Sequence, residues 1–182
     1  MKKKILLITG SPRKHGNTSM MADAFEKGAH STGHTVFRFS AGDLDLRGCT
    51  NCNTCFSKGD NNACSTETGF NEIASYFGSC DTVIFCTPLY WYSFPAQLKA
   101  VIDKIYSFAV SQRPSNIKES FLLVCGECPE TRYFEGIVSS YQLLAEDRQW
   151  NDRGHYIVTG VVDPGDIDKN HVKKIEQIGS SI

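Results

Sequence analysis

The 182-residue sequence lacks most of the features that mark a membrane or nucleic-acid-binding protein. No apolar run approaches the length of about 20 residues that a membrane-spanning helix needs. The formal net charge is only −1, so neither nucleic acid nor a membrane surface is expected as a partner. The same balance disfavours a small electron carrier, because such carriers often dock through a strong field of one sign. No repeat, linker or low-complexity segment is present, and one domain over residues 1–182 is expected.

Two common nucleotide-binding motifs are also missing. A Walker A loop has the form G-x-x-x-x-G-K-[ST], whereas five residues separate Gly10 from Gly16 and Asn17 stands where the lysine should be. The dinucleotide fingerprint G-x-G-x-x-G is absent as well. These absences leave a loop suited to a simpler anion than a triphosphate or a pyrophosphate.

The N-terminal stretch combines a buried strand, a polar loop and the start of a helix. Residues 5–8 are apolar on both faces, as in a central parallel strand, and a helix over residues 18–30 is predicted to begin at Asn17 or Thr18, both good N-caps. Free amides and the positive end of the helix dipole meet there, which predicts a metal-free site for a phosphomonoester. An ordinary polar turn before a surface helix is the alternative. The candidate ligands are Ser11, Arg13, Gly16, Asn17, Thr18 and Ser19.

Strands and helices are predicted to alternate along the rest of the chain. Further strands are expected at residues 34–39, 82–87, 120–126 and 155–162, and helical periodicity recurs at 70–77, 95–105, 137–144 and 172–178. This alternation predicts an α/β fold of three layers, with a five-stranded parallel sheet in the order 2-1-3-4-5. In that order a ligand lies beyond the carboxyl ends of strands 1 and 3.

Residues 10–18 carry the pattern G-S-P-R-x-x-G-N-T at every position. This stretch resembles the phosphate loop of the flavodoxin-like NAD(P)H-dependent FMN reductases. The resemblance implies a flavodoxin-like fold, FMN as the bound cofactor and NAD(P)H as the co-substrate.

An aromatic loop over residues 89–94 follows the predicted third strand. Pro88, Leu89, Tyr90 and Trp91 offer a flat apolar wall and turn amides for a flavin ring, although the same aromatics could cap the core or line a subunit interface. Residues 88–99 and 102–104 look like the family segments P-x-Y-x-x-x-x-x-x-x-L-K and I-D-[RK]. In that family the loop cradles the isoalloxazine ring, often with help from a second subunit, which implies a homodimer or a homotetramer. Gly126 and Glu127 are candidates for a third wall.

The eight cysteines are expected to be reduced thiols, because a cytoplasmic location is predicted. The lysines at positions 2–4 precede an apolar stretch that is too short for a signal peptide. Cys86 and Cys125 lie in apolar strands and are predicted to be core residues. Cys80 and Cys128 flank loops, and no role is assigned to them.

Four cysteines fall in the polar segment 41–68. Cys49, Cys52 and Cys55 follow one another at the spacing C-x2-C-x2-C, which can wrap one soft metal centre, whereas zinc usually takes two separated pairs. The loop resembles that of the iron–sulfur flavoproteins, a branch of the same group, and this resemblance implies a 4Fe–4S cluster with Cys64 as the fourth ligand. Eight residues separate Cys55 from Cys64, more than is usual in that branch. A metal-free thiol loop is an equal alternative, and zinc or a disulfide are minor ones.

The leading hypothesis is an oxidoreductase in which FMN takes hydride from NAD(P)H and reduces a flavin, a quinone, a nitro or azo compound, or a protein. One alternative is an iron–sulfur flavoprotein that relays electrons between protein partners without direct NAD(P)H turnover. Another is a flavin-binding regulatory protein without turnover. Since the flavin carries the redox chemistry, no catalytic acid, base or nucleophile is assigned, and Glu127 and His15 are interpreted as solvated loop residues.

Overall fold

A computed structural model describes residues 1–56, 63–64, 68–111 and 113–182. Five parallel strands form one sheet in the order β2-β1-β3-β4-β5, which confirms the predicted fold class. The strands are β1 (Lys4–Thr9), β2 (Thr35–Ser40), β3 (Thr82–Pro88), β4 (Glu119–Cys125) and β5 (Asn151–Val158). The helices are α1 (Asn17–Ser31), α2 (Thr68–Phe77), α3 (Ala96–Lys104), α4 (Tyr106–Val110), α5 (Glu135–Asp147) and α6 (Lys169–Ser181), with short 3-10 turns at Thr54–Phe56 and Thr131–Phe134.

The hydrophobic core has two halves, one on each face of the sheet. Because successive side chains of a strand point to opposite faces, Leu6 and Ile8 join one half while Ile5 and Leu7 join the other. The first half also receives apolar side chains from α2, α3 and α5, and the second receives those of α1 and α6. β1 is buried along nearly its whole length, as its continuous apolar run predicts.

Helices α1 and α6 pack backbone to backbone through two glycines. A Cβ atom added at Gly28 would overlap the carbonyl oxygen of Glu176, and one added at Gly179 would overlap that of Phe25. Any side chain at either position would force the helices apart. This contact holds α1 against α6, and the predicted phosphate loop immediately precedes α1.

The largest differences from the predicted boundaries are in the helix after β3 and in β5. The helix predicted to run through Ile105 is divided there into α3 and α4, and the Ile105 N–H is shared between the carbonyls of Val101 and Ile102. β5 begins at Asn151 rather than at 155, because its first residues pair with the start of β4 but are polar and carry no hydrophobic pattern. It ends at Val158 rather than at 162. No helix within the described ranges is both long and apolar enough to cross a bilayer.

Candidate functional site

A cleft of about 550 Å³ lies at the carboxyl ends of the central strands. It is located at the switch point between β1 and β3, where open parallel sheets bind their ligands. Its volume falls within the range of small-molecule sites, about 300–1,000 Å³. The lining residues are Ser11, Arg13, Gly16, Asn17, Thr18, Pro88, Leu89, Tyr90, Trp91, Tyr92, Cys125, Gly126, Glu127, Cys128, Val161, Val162 and Pro164. All predicted cofactor-binding residues except Ser19 therefore meet in one cleft.

The predicted phosphate loop, residues 10–18, forms a closed turn before α1. The Arg13 N–H donates to the Ser11 Oγ at 3.1 Å, and the Gly16 N–H donates to the Arg13 carbonyl at 3.4 Å. The N-cap is Gly16, not the predicted Asn17 or Thr18; no side chain caps the helix, and its first turn holds no acidic residue. The amides of the first turn and the positive end of the helix dipole are therefore available to an anion.

Asn17 has a structural partner outside the phosphate loop. Its Nδ2 donates to the Asp163 carbonyl at 2.9 Å, and its Oδ1 accepts the Gly165 N–H at 3.1 Å. These bonds are the physical reason that Asn17 does not cap the helix with its own side chain. They fasten the loop after β5 to the start of α1, so Asn17 offers the cleft its backbone amide.

Ser19 lies beside the cleft and not in it. Its Oγ accepts a hydrogen bond from Arg38 Nη2 at 3.0 Å. It lines a second cleft of about 300 Å³, which shares Ser11, Arg13 and Thr18 with the first. Arg38 is also paired with Asp23 and Glu26.

Two buried cysteines form part of the floor beneath the phosphate loop, as their apolar strands predict. The Cys86 thiol donates to the Thr18 carbonyl at 3.4 Å, and the Cys125 sulfur lies 3.7 Å from Thr18 Oγ1. Burial raises the pKa of Cys125 to about 11 and the pKa of Cys86 well above its ordinary value. Both are therefore protonated, unreactive thiols at neutral pH.

The predicted aromatic loop forms a tight hairpin at residues 90–93, here called the aromatic hairpin. Tyr90 and Ser93 exchange two backbone hydrogen bonds of 3.0 Å each, and Trp91 and Tyr92 between them adopt positive φ values of 47° and 65°. Such turns usually take Asn or Gly, and bulky residues there cost on the order of 1–2 kcal/mol each. Trp91 is 92% exposed, so burial of its own ring in this chain does not offset the strain. Strain of this kind clusters at functional sites.

The opposite wall comes from the loops after β4 and β5. A Cβ atom added at Gly126 would lie 3.1 Å from the Leu89 side chain, so glycine keeps this wall close to the aromatic loop. Val161, Val162 and Pro164 belong to the loop after β5 and are absent from the predicted set. The parallel topology alone could have identified them, because all five strands end at the same edge of the sheet. Tyr92 of the hairpin stacks on Tyr133, which follows β4, with ring centroids 6.1 Å apart, so the two walls are in contact there.

The four loop cysteines line a separate, smaller cavity, here called the cysteine cavity. It has a volume of about 40 Å³ and shares no described lining residue with the cleft. Asp103, Lys104, Tyr106 and Ser107 form the wall opposite the cysteines, of which Cys49 and Cys52 are exposed and Cys55 and Cys64 are half-buried. The hydrogen bond with Thr54 lowers the pKa of Cys52. Part of the predicted Cys55–Cys64 connection, residues 57–62, lies outside the described residues.

The cysteine cavity fits a soft metal group by its chemistry more than by its present geometry. It is lined by four cysteines and by Ser107, whose buried hydroxyl has no partner among the described residues. Among residues 1–56, 63–64, 68–111 and 113–182, however, no three His, Cys, Asp or Glu side chains are close enough together to hold a metal ion. The thiols would therefore have to move towards one another to bind a cluster.

Comparisons with known proteins identify a family and related proteins. A family model described as NADPH-dependent FMN reductase matches residues 3–124. The chain is 29% identical to an iron-sulfur flavoprotein from Archaeoglobus fulgidus, over 98% of this chain and 78% of that protein. It is 32% identical to an iron-sulfur flavoprotein from Methanocaldococcus jannaschii, but over only 56% of this chain and 51% of that protein. A solved structure, an NAD(P)H:quinone oxidoreductase from Methanothermobacter marburgensis, superposes with a TM-score of 0.79 at 18% identity, covering 100% of this chain and 96% of the other, and so shares the flavodoxin-like fold.

Proposed function

The chain belongs to the NADPH-dependent FMN reductase family, and from that premise we propose that the switch-point cleft binds FMN and serves NAD(P)H-dependent reduction of a small flat acceptor. Membership makes the protein an FMN-dependent oxidoreductase. The observation that carries the proposed site is the meeting of an uncapped helix start, an aromatic hairpin and the exit loops of β4 and β5 in one cleft.

The phosphate of FMN is assigned to the N-terminal end of α1. Ser11 and Arg13 provide side-chain contacts, and Gly16, Asn17 and Thr18 provide the amides of the helix start. Arg13 is exposed, and a charge-assisted bond from its guanidinium suits a terminal phosphate. Ser19 is left out of this set because its hydroxyl is bonded to Arg38 outside the cleft.

The isoalloxazine ring is assigned to the space between the aromatic hairpin and the loop after β4. Pro88, Leu89, Tyr90 and Trp91 form one side, and Gly126 and Glu127 form the other. FMN, when bound, supplies the hydride-accepting and electron-releasing chemistry. The chain itself holds the ring, donates backbone hydrogen bonds to its polar edge and keeps water from one of its faces.

The acceptor is proposed to be a quinone or a similar aromatic compound. Tyr92 and Tyr133 stack at the mouth of the cleft, and Arg132 lies 4.5 Å over the Tyr133 ring. The stacked tyrosine rings offer a surface on which a flat aromatic molecule could stack beside the flavin. The structural relative named above is a quinone oxidoreductase, which points in the same direction. Free flavin, nitro and azo compounds and a protein are the remaining acceptors.

A second candidate function adds a 4Fe–4S cluster at Cys49, Cys52, Cys55 and Cys64. It is favoured by the four cysteines that line one cavity and by the similarity, over 98% of this chain, to a protein named as an iron-sulfur flavoprotein. In this version the protein relays electrons between protein partners, and NAD(P)H does not react directly with its flavin.

We also propose that the protein acts in the cytoplasm as a homodimer or homotetramer. Trp91, Tyr92 and Tyr90 are 92%, 51% and 44% exposed at the mouth of the cleft. A contiguous exposed group of aromatic side chains is typical of protein interfaces, where a second subunit would cover the flavin. Mass measurement in solution checks this point, and a monomer that holds FMN at full occupancy would contradict it.

The deciding experiment is an anaerobic absorbance titration together with flavin and iron assays. The proposed reductase is expected to hold one FMN per chain, to lose its flavin absorbance rapidly with NADPH and to regain it with a quinone. Slow bleaching by NADPH and fast reduction by ferredoxin would favour the relay instead. Riboflavin is the matched ligand control, since riboflavin binding as tight as FMN binding would contradict the phosphate site.

A further inference from the structure

The wall of the cysteine cavity contains a polar group that the thiols do not explain. Ser107 is 4% exposed, and its Oγ has no hydrogen-bond partner among the residues that the structure describes. The same residue lines the cavity opposite the cysteines. Buried hydroxyls are nearly always hydrogen-bonded, so an unpartnered hydroxyl on a residue that lines a cavity is a group that a ligand with an acceptor atom would satisfy.

The local helix does not satisfy this hydroxyl, although it could. A helical serine commonly bonds to the carbonyl four residues earlier, as Ser111 does with the carbonyl of Ser107. Ser107 does not make the equivalent bond. Thr82 also has a buried hydroxyl without a described partner, but it lies at the start of β3 and lines neither cavity.

Lys104 brings a second donor to the same wall. The residue lines the cavity and is 5% exposed, and its Nζ donates to the Arg47 carbonyl. A group bound by four thiolates is rich in negative charge and in sulfur acceptors. A buried lysine beside it is a matched partner, because low dielectric strengthens the attraction between them.

We propose that Ser107 and Lys104 tune the reduction potential of an iron–sulfur cluster held by Cys49, Cys52, Cys55 and Cys64, an inference that rests on the second candidate function. The Ser107 hydroxyl donates a hydrogen bond to a cluster or thiolate sulfur, and the Lys104 ammonium adds a positive charge nearby. Reduction adds one electron, and so one negative charge, to the cluster. Both groups therefore stabilise the reduced form more than the oxidised form and raise the potential.

The test measures the cluster potential of Ser107→Ala and Lys104→Gln after anaerobic reconstitution. Iron and sulfide are assayed per chain, and the midpoint is followed by electron paramagnetic resonance. Each substitution is expected to lower the equilibrium constant for cluster reduction about tenfold, which is about 59 mV for a one-electron couple. Ser107→Thr keeps the hydroxyl and is expected to keep the potential.

Two controls separate this effect from a general loss of structure. Thr82→Val removes a buried hydroxyl that also has no partner among the described residues, and it is expected to leave the cluster potential unchanged. The flavin potential is expected to stay constant in all variants, because the cleft and the cysteine cavity share no described lining residue. If Ser107→Ala fails to fold, Lys104→Gln with Lys104→Arg as its control still decides the question.

The outcomes distinguish this inference from the function beneath it. Wild-type protein with about four irons per chain and variants with unchanged potentials would overturn the tuning role and leave the cluster in place. Wild-type protein that takes up no iron while binding FMN would overturn the cluster and the tuning role together, and would leave the reductase proposal intact.

Discussion

The cleft at the switch point and the cysteine cavity differ in how well the fold holds their lining residues in place. The cleft is formed by loops that leave one edge of a parallel sheet, and its phosphate loop is closed by hydrogen bonds at Ser11, Arg13 and Gly16. At the cysteine cavity, Cys49 and Cys52 are exposed, and no three potential ligands in the described ranges are close enough for a metal. The comparison teaches that loops at a sheet edge can be preorganised by the fold, whereas these thiols would have to be brought together by any metal group that they bind.

The largest effect is expected from removing one thiol of the cysteine cavity. Cys52→Ala is predicted to abolish retention of a reconstituted cluster, from about four irons per chain to almost none, because three thiolates hold it far less tightly. FMN binding is expected to be unchanged. The matched control is Cys86→Ala, since Cys86 is buried under the phosphate loop and its loss should leave the iron content as it was. Equal iron in both variants would contradict the assignment.

The next effect compares two glycines. Gly28 lies where α1 packs against α6, and Gly48 lines the cysteine cavity. Gly28→Ala is predicted to lower the free energy of unfolding by about 3 kcal/mol, because the new methyl group would meet the backbone of α6. Gly48→Ala places its methyl group in open space beside the cysteines, and a change within about 0.5 kcal/mol is expected. Denaturant unfolding monitored by circular dichroism measures both. Similar losses would show that the two regions are equally tightly packed.

A smaller and more local effect is expected at the phosphate loop. Arg13→Ala is predicted to weaken FMN binding by on the order of 1.5–3 kcal/mol, since it removes a charge-assisted hydrogen bond to the phosphate. Titration of the apo-protein with FMN measures the loss. The affinity for riboflavin, which has no phosphate, should not change, and an equal loss for both ligands would remove the phosphate assignment.

The smallest effect concerns the order in which thiols react as the pH rises. Only the thiolate is alkylated, and the pKa of Cys52 is lowered by its bond with Thr54 whereas burial raises the pKa of Cys125 to about 11. Iodoacetamide is therefore predicted to modify Cys52 at a lower pH than an ordinary thiol and to spare Cys125 and Cys86 up to mildly alkaline pH. Peptide mapping reads the sites, and Thr54→Val should shift the Cys52 profile towards higher pH.

The sequence contains enough information for the sheet order and for most of the cleft. β1 and β3 are continuous apolar runs, and the polar turn between β1 and α1 has local chemistry that a short window contains. β5 begins earlier than predicted because an edge strand that starts Asn-Asp-Arg-Gly carries no hydrophobic signal. The break at Ile105 is hidden because the apolar spacing of α3 leads directly into that residue.

The remaining features depend on contacts between residues far apart in the chain. Asn17 looks like a helix cap in the sequence, but its partners are the backbone groups of Asp163 and Gly165. Ser19 looks like a phosphate ligand until Arg38 from β2 is seen to engage it. Ser107 has no signature at all, because the absence of a partner within the described structure is a property of the folded chain alone.

The contact between α1 and α6 has a consequence for the order in which the protein matures on the ribosome. α1 emerges early, yet the helix that locks it in place through Gly28 and Gly179 follows all five strands, and the loop that Asn17 fastens is also made late. A nascent chain that ends near residue 124 has four strands but neither support for the phosphate loop. We therefore expect the cofactor to bind only after translation, when α6 has packed against α1. Its binding would then stabilise only chains that have folded completely.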